Sequence, residues 1–398
     1  MKITSVDIFS LKHRGDPFSL KAVVCRINTD EGISGYGECG LSYGVGASAG
    51  FHMIRDLAPM IIGQDPMRNE FLWELMFKRT FWGQAGGAVF YAAMSAIDIA
   101  LFDIKGKALN VPAYQLLGGK HRDSLRAYAS QLQLGWVEDD AKSWDLIYKA
   151  EDYANEARKA VSEGYDAIKI DFVGGRADGP GPRELDDITS LPKPATISEI
   201  VERVAAVREA VGPNVDIIAE NHSTTDALSA VKIGQAIEKY NILYYEEICT
   251  PLNPEVMANA SKRINIPLAN GERLFTRWGY LPFLENDSLQ VIQPDLCLCG
   301  GITEAKKICD LAHVFDATVQ IHVCGSPITL AAALQLEAAI PNFCIHEHHV
   351  INKVLWNREL GKYDIAPENG RFAIPDRPGI GQELSDFAIQ NAYCETVK

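Results

Sequence analysis

The chain has 398 residues, 47% hydrophobic and 23% charged, the balance of a globular protein with room for two domains or a barrel plus a smaller unit. Its formal charge of −14 and lack of long Lys/Arg runs argue against nucleic acid as a partner, because polyanion binding draws on clustered cations. No stretch approaches the ~18 to 20 apolar residues of a membrane helix, and the start Met1-Lys2-Ile3-Thr4 lacks the apolar core of a secretion signal.

A cytoplasmic protein without a membrane partner is therefore expected. The nine cysteines then read as reduced, buried small hydrophobes, and Cys297 and Cys299 lack the second pair that a zinc site needs. An anionic small molecule is compatible with the negative charge, since a bound divalent ion can reverse the local field.

In chain order, Lys21–Ile27 and Ile33–Glu38 predict a hairpin around the turn Thr29-Asp30-Glu31-Gly32. Gly-containing loops flank it near Arg14-Gly15-Asp16-Pro17 and Leu41–Gly46. Residues 51 to 118 read as largely helical, with Ala92, Ala93, Ser95, Ala96, Ile97, Ala100 and Leu101 on a tightly packed helix, and Leu116-Leu117-Gly118-Gly119 stops that region.

From about residue 127, short apolar strands alternate with helical stretches, as in parallel βα units. The predicted strands are Ala127–Gln131, Ala167–Phe172, Val215–Asn221, Ile242–Glu247, Pro267–Glu272, Gln290–Asp295, Thr318–Val323 and Asn342–Glu347. Eight is the number of a (β/α) barrel. From the third strand on, they start 23 to 28 residues apart, while the Gly/Pro/Asp-rich run 174–194 predicts a long loop after the second. Beyond residue 350 the pattern gives way to Pro/Gly turns.

Three acids close apolar runs at equal spacing. Glu220, Glu246 and Glu272 lie 26 residues apart in both steps (246 − 220 and 272 − 246), one strand-plus-helix unit each, so consecutive strands deliver them to one rim. One such acid is ordinarily solvated or half of a salt bridge. Three together repel unless a cation neutralises them, and an all-oxygen ligand set points to a hard ion, with Mg2+ the leading candidate. Glu247 competes with Glu246, and strand alternation sends only one of the two inward.

Asp295 and His322 end the next two strands. A carboxylate bonded to one imidazole nitrogen raises the basicity of the other, which makes His322 a candidate general base. Glu347 ends the last strand, where it could bond an oxyanion or a substrate hydroxyl. The run His346-Glu347-His348-His349 is a weak metal cluster, because neighbours on a strand face opposite ways. Lys169 and Asp171 share one face of the second strand, and a Lys within an apolar strand seldom lacks a partner. His222 shares the inward face of Glu220; metal ligand, substrate ligand and proton donor are all open to it, with the acid role preferred.

The segments Glu220-Asn221-His222, Glu246-Glu247, Gly271-Glu272-Arg273, Ile292-Gln293-Pro294-Asp295, Gly300-Gly301-Ile302-Thr303-Glu304 and His322 together resemble the enolase superfamily, mandelate racemase-like subgroup, over nearly the whole chain. Within it, the acid-x-His arrangement and Pro267–Arg273 look most like the galactonate dehydratase and related sugar acid dehydratases. The resemblance implies a modified TIM barrel, (β/α)7β, with an α+β N-terminal capping domain completed by the C-terminal tail, bounded near 1–125, 126–350 and 351–398. It implies that loops near 14–20 and 41–48 help choose substrate, and that a homo-oligomer forms.

It also implies Mg2+-dependent dehydration of an aldonate or aldarate to a 2-keto-3-deoxy acid. His322, oriented by Asp295, would take the α-proton; Glu347 would bond the enolate oxygen; His222 would protonate the departing 3-hydroxyl; Lys169 would supply charge or a proton from the other face. Epimerisation, with Lys169 or His222 returning a proton to C2, and a catalytically silent sugar acid binder are the alternatives. The loop 174–194 holds no Tyr, so the loop-tyrosine mechanism of mannonate dehydratases is not supported.

Overall fold

The β-branched runs of the sequence form two separate sheets in the computed structural model, which describes residues 1–11, 20–138, 146–176, 178–189 and 191–398. The strands are β1 Ile3–Ser10, β2 Val23–Thr29, β3 Ser34–Cys39, β4 Ser124–Ser130, β5 Ala167–Asp171, β6 Asp216–Glu220, β7 Ile242–Glu246, β8 Leu268–Asn270, β9 Val291–Ile292, β10 Thr318–Val319, β11 His346–His349, β12 Arg371–Ala373 and β13 Tyr393–Val397. The expected turn at Arg14–Pro17 lies outside the described residues.

The first sheet is antiparallel in the order β13-β1-β2-β3, so the chain's last strand pairs with its first, Val397 opposite Val6. Helices α1 Ala47–Ile61, α2 Asn69–Arg79 and α3 Ala88–Leu109 complete the cap, and α3 is buried on nearly every side. Its small residues let β3 come unusually close: a Cβ on Gly37 would stand 2.0 Å from the Ala96 carbonyl oxygen. Only glycine tolerates that approach.

The second sheet runs β10-β9-β8-β7-β6-β5-β4-β11, all parallel, with β12 antiparallel against β4. It closes where Val319 N–H bonds the Asn342 carbonyl at 2.8 Å and Cys344 N–H bonds the Val319 carbonyl at 2.7 Å. After the one-turn α4 Ala113–Leu116, seven α-helices among the described residues alternate with the eight strands: α5 Ala150–Ser162, α6 Pro194–Val211, α7 Ala227–Ile237, α8 Pro254–Ser261, α9 Thr276–Glu285, α10 Gly301–Val314 and α11 Pro327–Ala339. This is the (β/α)7β barrel with an α+β cap. Tyr128, Ala167, Ile218, Tyr244, Ala269, Val291 and Ile345 pack together inside it, so the interior is filled and chemistry is left to the strand ends.

Buried polar contacts lock cap to barrel. Asp98 on α3 accepts the Thr303 N–H at 2.8 Å, and Trp73 on α2 donates to the Gly300 carbonyl at 2.9 Å. Glu38 on β3 accepts the Ser326 and Thr329 N–H groups at the start of α11, at 3.0 and 3.3 Å.

Candidate active site

Parallel strands raise their C-terminal residues to one rim. Lys169 on β5 is 1% exposed, and an apolar site would strip its charge unless anions surrounded it. They do: Nζ stands 2.6 Å from Glu246, 3.0 Å from Glu347 and 3.2 Å from Glu220. Burial alone would lower its pKa, but those three carboxylates outweigh it and hold the ammonium charged.

Glu220 also accepts the N–H groups of Asn221 and His222 at 2.9 and 2.8 Å. Burial opposes its charge, yet His222 and Lys169 bring its pKa well below the usual carboxylate range. Glu246, opposite it on β7, is pushed the other way by burial and by Glu220 itself. Glu347 accepts from Ser130 Oγ at 2.6 Å and from the Val323 N–H at 3.0 Å; despite burial, Lys169 keeps it ionised.

Two Asp–His pairs stand across the barrel from each other. Just beyond β9 and β10, His322 Nδ1 meets Asp295 Oδ2 at 2.7 Å, and Asp295 is held in turn by the Cys297 N–H at 2.6 Å. Nε2 of His322 lies 3.2 Å from Glu272. Burial would lower this histidine's pKa, but Glu272 and the bond to Asp295 push it up to about 10. At the ends of β5 and β6, four places round the eight-strand ring, His222 Nδ1 (two residues past β6) meets Asp171 Oδ2 at 2.8 Å. Asp171 is fixed by the Val173 and Gly174 N–H groups at 2.7 and 2.8 Å. Against burial, Glu220 and Asp171 push His222 to about 10 as well.

The residues singled out in the sequence thus fall into one network, and others join them. Asp171 is the partner of His222, signalled by the Lys169-x-Asp171 spacing. Gln131 at the end of β4 brings Nε2 to 3.2 Å from His222 Nε2 and has no sequence signal. Glu247 turns back to the same rim, pairing with Arg273 and feeling the Glu272 and Glu220 charges; it is pushed to about 8, first by burial. Gln131, His222 and Glu247 take left-handed φ values of 67°, 47° and 48°, strain that gathers at functional sites. His346 pairs instead with Glu337 and His348 with Tyr165, away from the rim.

Mg2+ is the ion the sequence suggests for Glu220, Glu246 and Glu272. Buried oxygens of Glu220 (Oε2), Glu246 (Oε2) and Glu247 (Oε1) make no hydrogen bond. Lys169 and Arg273 offset only part of the charge these carboxylates can carry, and their unbonded oxygens form an all-oxygen donor set of the kind that fits a hard divalent ion. Among the described residues no three His, Cys, Asp or Glu side chains already form a closed ligand group. Glu272 is turned to His322 and, at 3.3 Å, to Arg273.

Residues 152–388 match the family described as enolase C-terminal domain-like, and residues 18–118 match the mandelate racemase / muconate lactonizing enzyme N-terminal domain. The chain belongs to the enolase superfamily. Within it, this member is 34% identical to a D-xylonate dehydratase of Haloferax volcanii, over 92% of this chain and 84% of that one. It is 32% identical to a D-galactonate dehydratase of Pectobacterium atrosepticum, over 98% and 94%. Among solved structures, an enolase superfamily member from Salmonella Typhimurium shares 54% identity with a TM-score of 0.96, covering 100% of both chains. The 3,6-anhydro-D-galactonate cycloisomerase of Zobellia galactanivorans shares 26% with a TM-score of 0.81, covering 99% and 100%.

Proposed function

We propose that this enolase superfamily enzyme is a hydro-lyase that dehydrates a sugar acid, a galactonate- or xylonate-like aldonate or an aldarate, to a 2-keto-3-deoxy acid. The observation that carries it is the pair of Asp–His dyads on opposite sides of one rim. A dehydration needs a proton taken from one carbon and a proton given to the hydroxyl leaving the next. Two dyads facing one substrate can divide that work.

In this reading Asp295 accepts from His322 Nδ1, and a cation held by Glu272 would offset the charge that raises this histidine's pKa, leaving Nε2 free to take the C2 proton. The C2–H electron pair moves into the enolate, then expels the 3-hydroxyl as the C3–O bond breaks. His222, steadied by Asp171, gives that hydroxyl its proton, so water leaves and the enol becomes the 2-keto acid. Mg2+ bound by Glu220, Glu246 and Glu272 would supply Lewis-acid stabilisation of the substrate carboxylate. Lys169 stays charged beside Glu220, Glu246 and Glu347 and contributes positive potential. Held ionised, Glu347 accepts from a substrate hydroxyl rather than donating to the enolate oxygen, a change from the role the resemblance implies.

The test is a panel of aldonates and aldarates incubated with the enzyme and Mg2+, read by keto acid formation. A 2-keto-3-deoxy acid from D-galactonate, D-xylonate or a close relative is expected, and loss of activity on chelation should accompany it. C2 epimers without keto acid would replace dehydration by the epimerase reading.

A further inference from the structure

His349 is the one histidine of the His346–His349 run that shares a strand face with Glu347, two residues before it. It is 7% exposed. Its Nδ1 accepts the Ile351 N–H at 3.1 Å, capping the short turn that follows. A nitrogen that accepts carries no proton, so the neutral ring places its hydrogen on Nε2. No described residue accepts from that Nε2. Burial keeps the ring neutral, at about 3; Glu347 pulls the other way, and the nearby charges of His322, Lys169 and His222 reinforce burial. His349 therefore stands within the field of both proposed acid–base histidines, yet is chemically unlike them.

We infer that His349 is a substrate-binding residue whose Nε2–H donates a hydrogen bond to a hydroxyl of a polyhydroxy acid. A donor that no protein group accepts from can exchange its bond to water for one to a ligand oxygen. A neutral donor does not compete for the substrate carboxylate, which the charged end of the site attracts. A hydroxyl matches it best. The inference rests on the sugar acid reading above and adds a residue that selects for hydroxylation.

His349→Asn keeps an oxygen to accept the Ile351 N–H but removes the ring donor, whereas His349→Gln carries an amide N–H toward the ring's place. With D-galactonate and D-xylonate, the Asn variant should show KM raised about ten- to a hundredfold and kcat within about threefold of the wild type. The Gln variant should recover most of the loss in KM. Binding of glycerate, which lacks the distal hydroxyls, should be equal in all three by calorimetry. An unchanged KM in an Asn variant of normal thermal stability overturns the proposal. So does an equal loss in both variants with a lowered melting temperature, which assigns His349 a structural role. If the wild type neither binds nor converts either sugar acid, the underlying reading fails, and that result is visible before any variant is made.

Discussion

An imidazole held between two neighbours takes its tautomer from the one that can only accept. At His222 that neighbour is Asp171, whose other oxygen is already occupied by two backbone N–H groups. Asp171→Asn preserves the shape but offers an amide where the carboxylate stood. Ring orientation and the ability to carry a proton should both suffer, and kcat for keto acid formation should fall by about 10²- to 10⁴-fold. Steady-state turnover of the preferred sugar acid checks this; a kcat within a few-fold of wild type would remove Asp171 from the mechanism.

The same residues show how far the sequence can be read. Glu220, Glu246 and Glu272 are legible because equal spacing turns isolated acids into one rim, and Asp295 and His322 because they end the next two predicted strands. The expectation that only one of Glu246 and Glu247 faces inward fails, because period-two alternation holds only within a strand: Glu247 follows the end of β7 with a φ of 48°, and its own side chain turns back to the rim. Gln131 is hidden for the same reason, its own φ being 67°.

At the scale of elements, all eight barrel strands lie where alternating apolar runs predict them, but their ends do not. Gln290–Asp295 and Thr318–Val323 pair as strands only at Val291–Ile292 and Thr318–Val319, and the parallel bridge between Asp295 and His322 stands alone beyond them. The chains diverge there to aim side chains into the site, and apolar pattern carries no record of that. Glu38 is another element-scale device unseen in the sequence. It ends a cap strand yet caps a barrel helix that follows His322 by a few residues, accepting also from Ser326 Oγ at 2.6 Å. Burial outweighs those donors and pushes its pKa up to about 7.

The sign of the resulting pH dependence is definite. A carboxyl with a raised folded pKa is protonated more readily in the folded state, so raising the pH through about 4.5 to 7 removes stability. Relative to Glu38→Gln, which stays neutral, the wild type should lose up to about 3 kcal/mol between pH 5 and pH 8. Urea unfolding of both proteins at the two pH values measures it. A gap that does not change with pH would mean that the donors at α11 keep Glu38 ionised throughout.

For the whole molecule, the cap and barrel are joined at the chain's two ends and at the site's edge. β13 adds the tail to the cap sheet, while β12 lies against barrel strand β4. Gly40 N–H bonds the Cys297 carbonyl at 2.9 Å, two residues beyond Asp295, so the cap loop that follows β3 borders the proposed base. The barrel was legible from strand spacing, whereas the joining of tail and cap rests on contacts far apart in sequence. Such contacts leave no local pattern; only resemblance to a family pointed to them.

The central claim is a division of labour between the two dyads, and C2 proton exchange in D2O with Mg2+ tests it most directly. Followed by NMR on the preferred sugar acid, His222→Asn should still exchange the C2 proton while forming no keto acid, and His322→Asn should do neither. Exchange that persists in His322→Asn would contradict the account, because the proton would then be leaving to some other base.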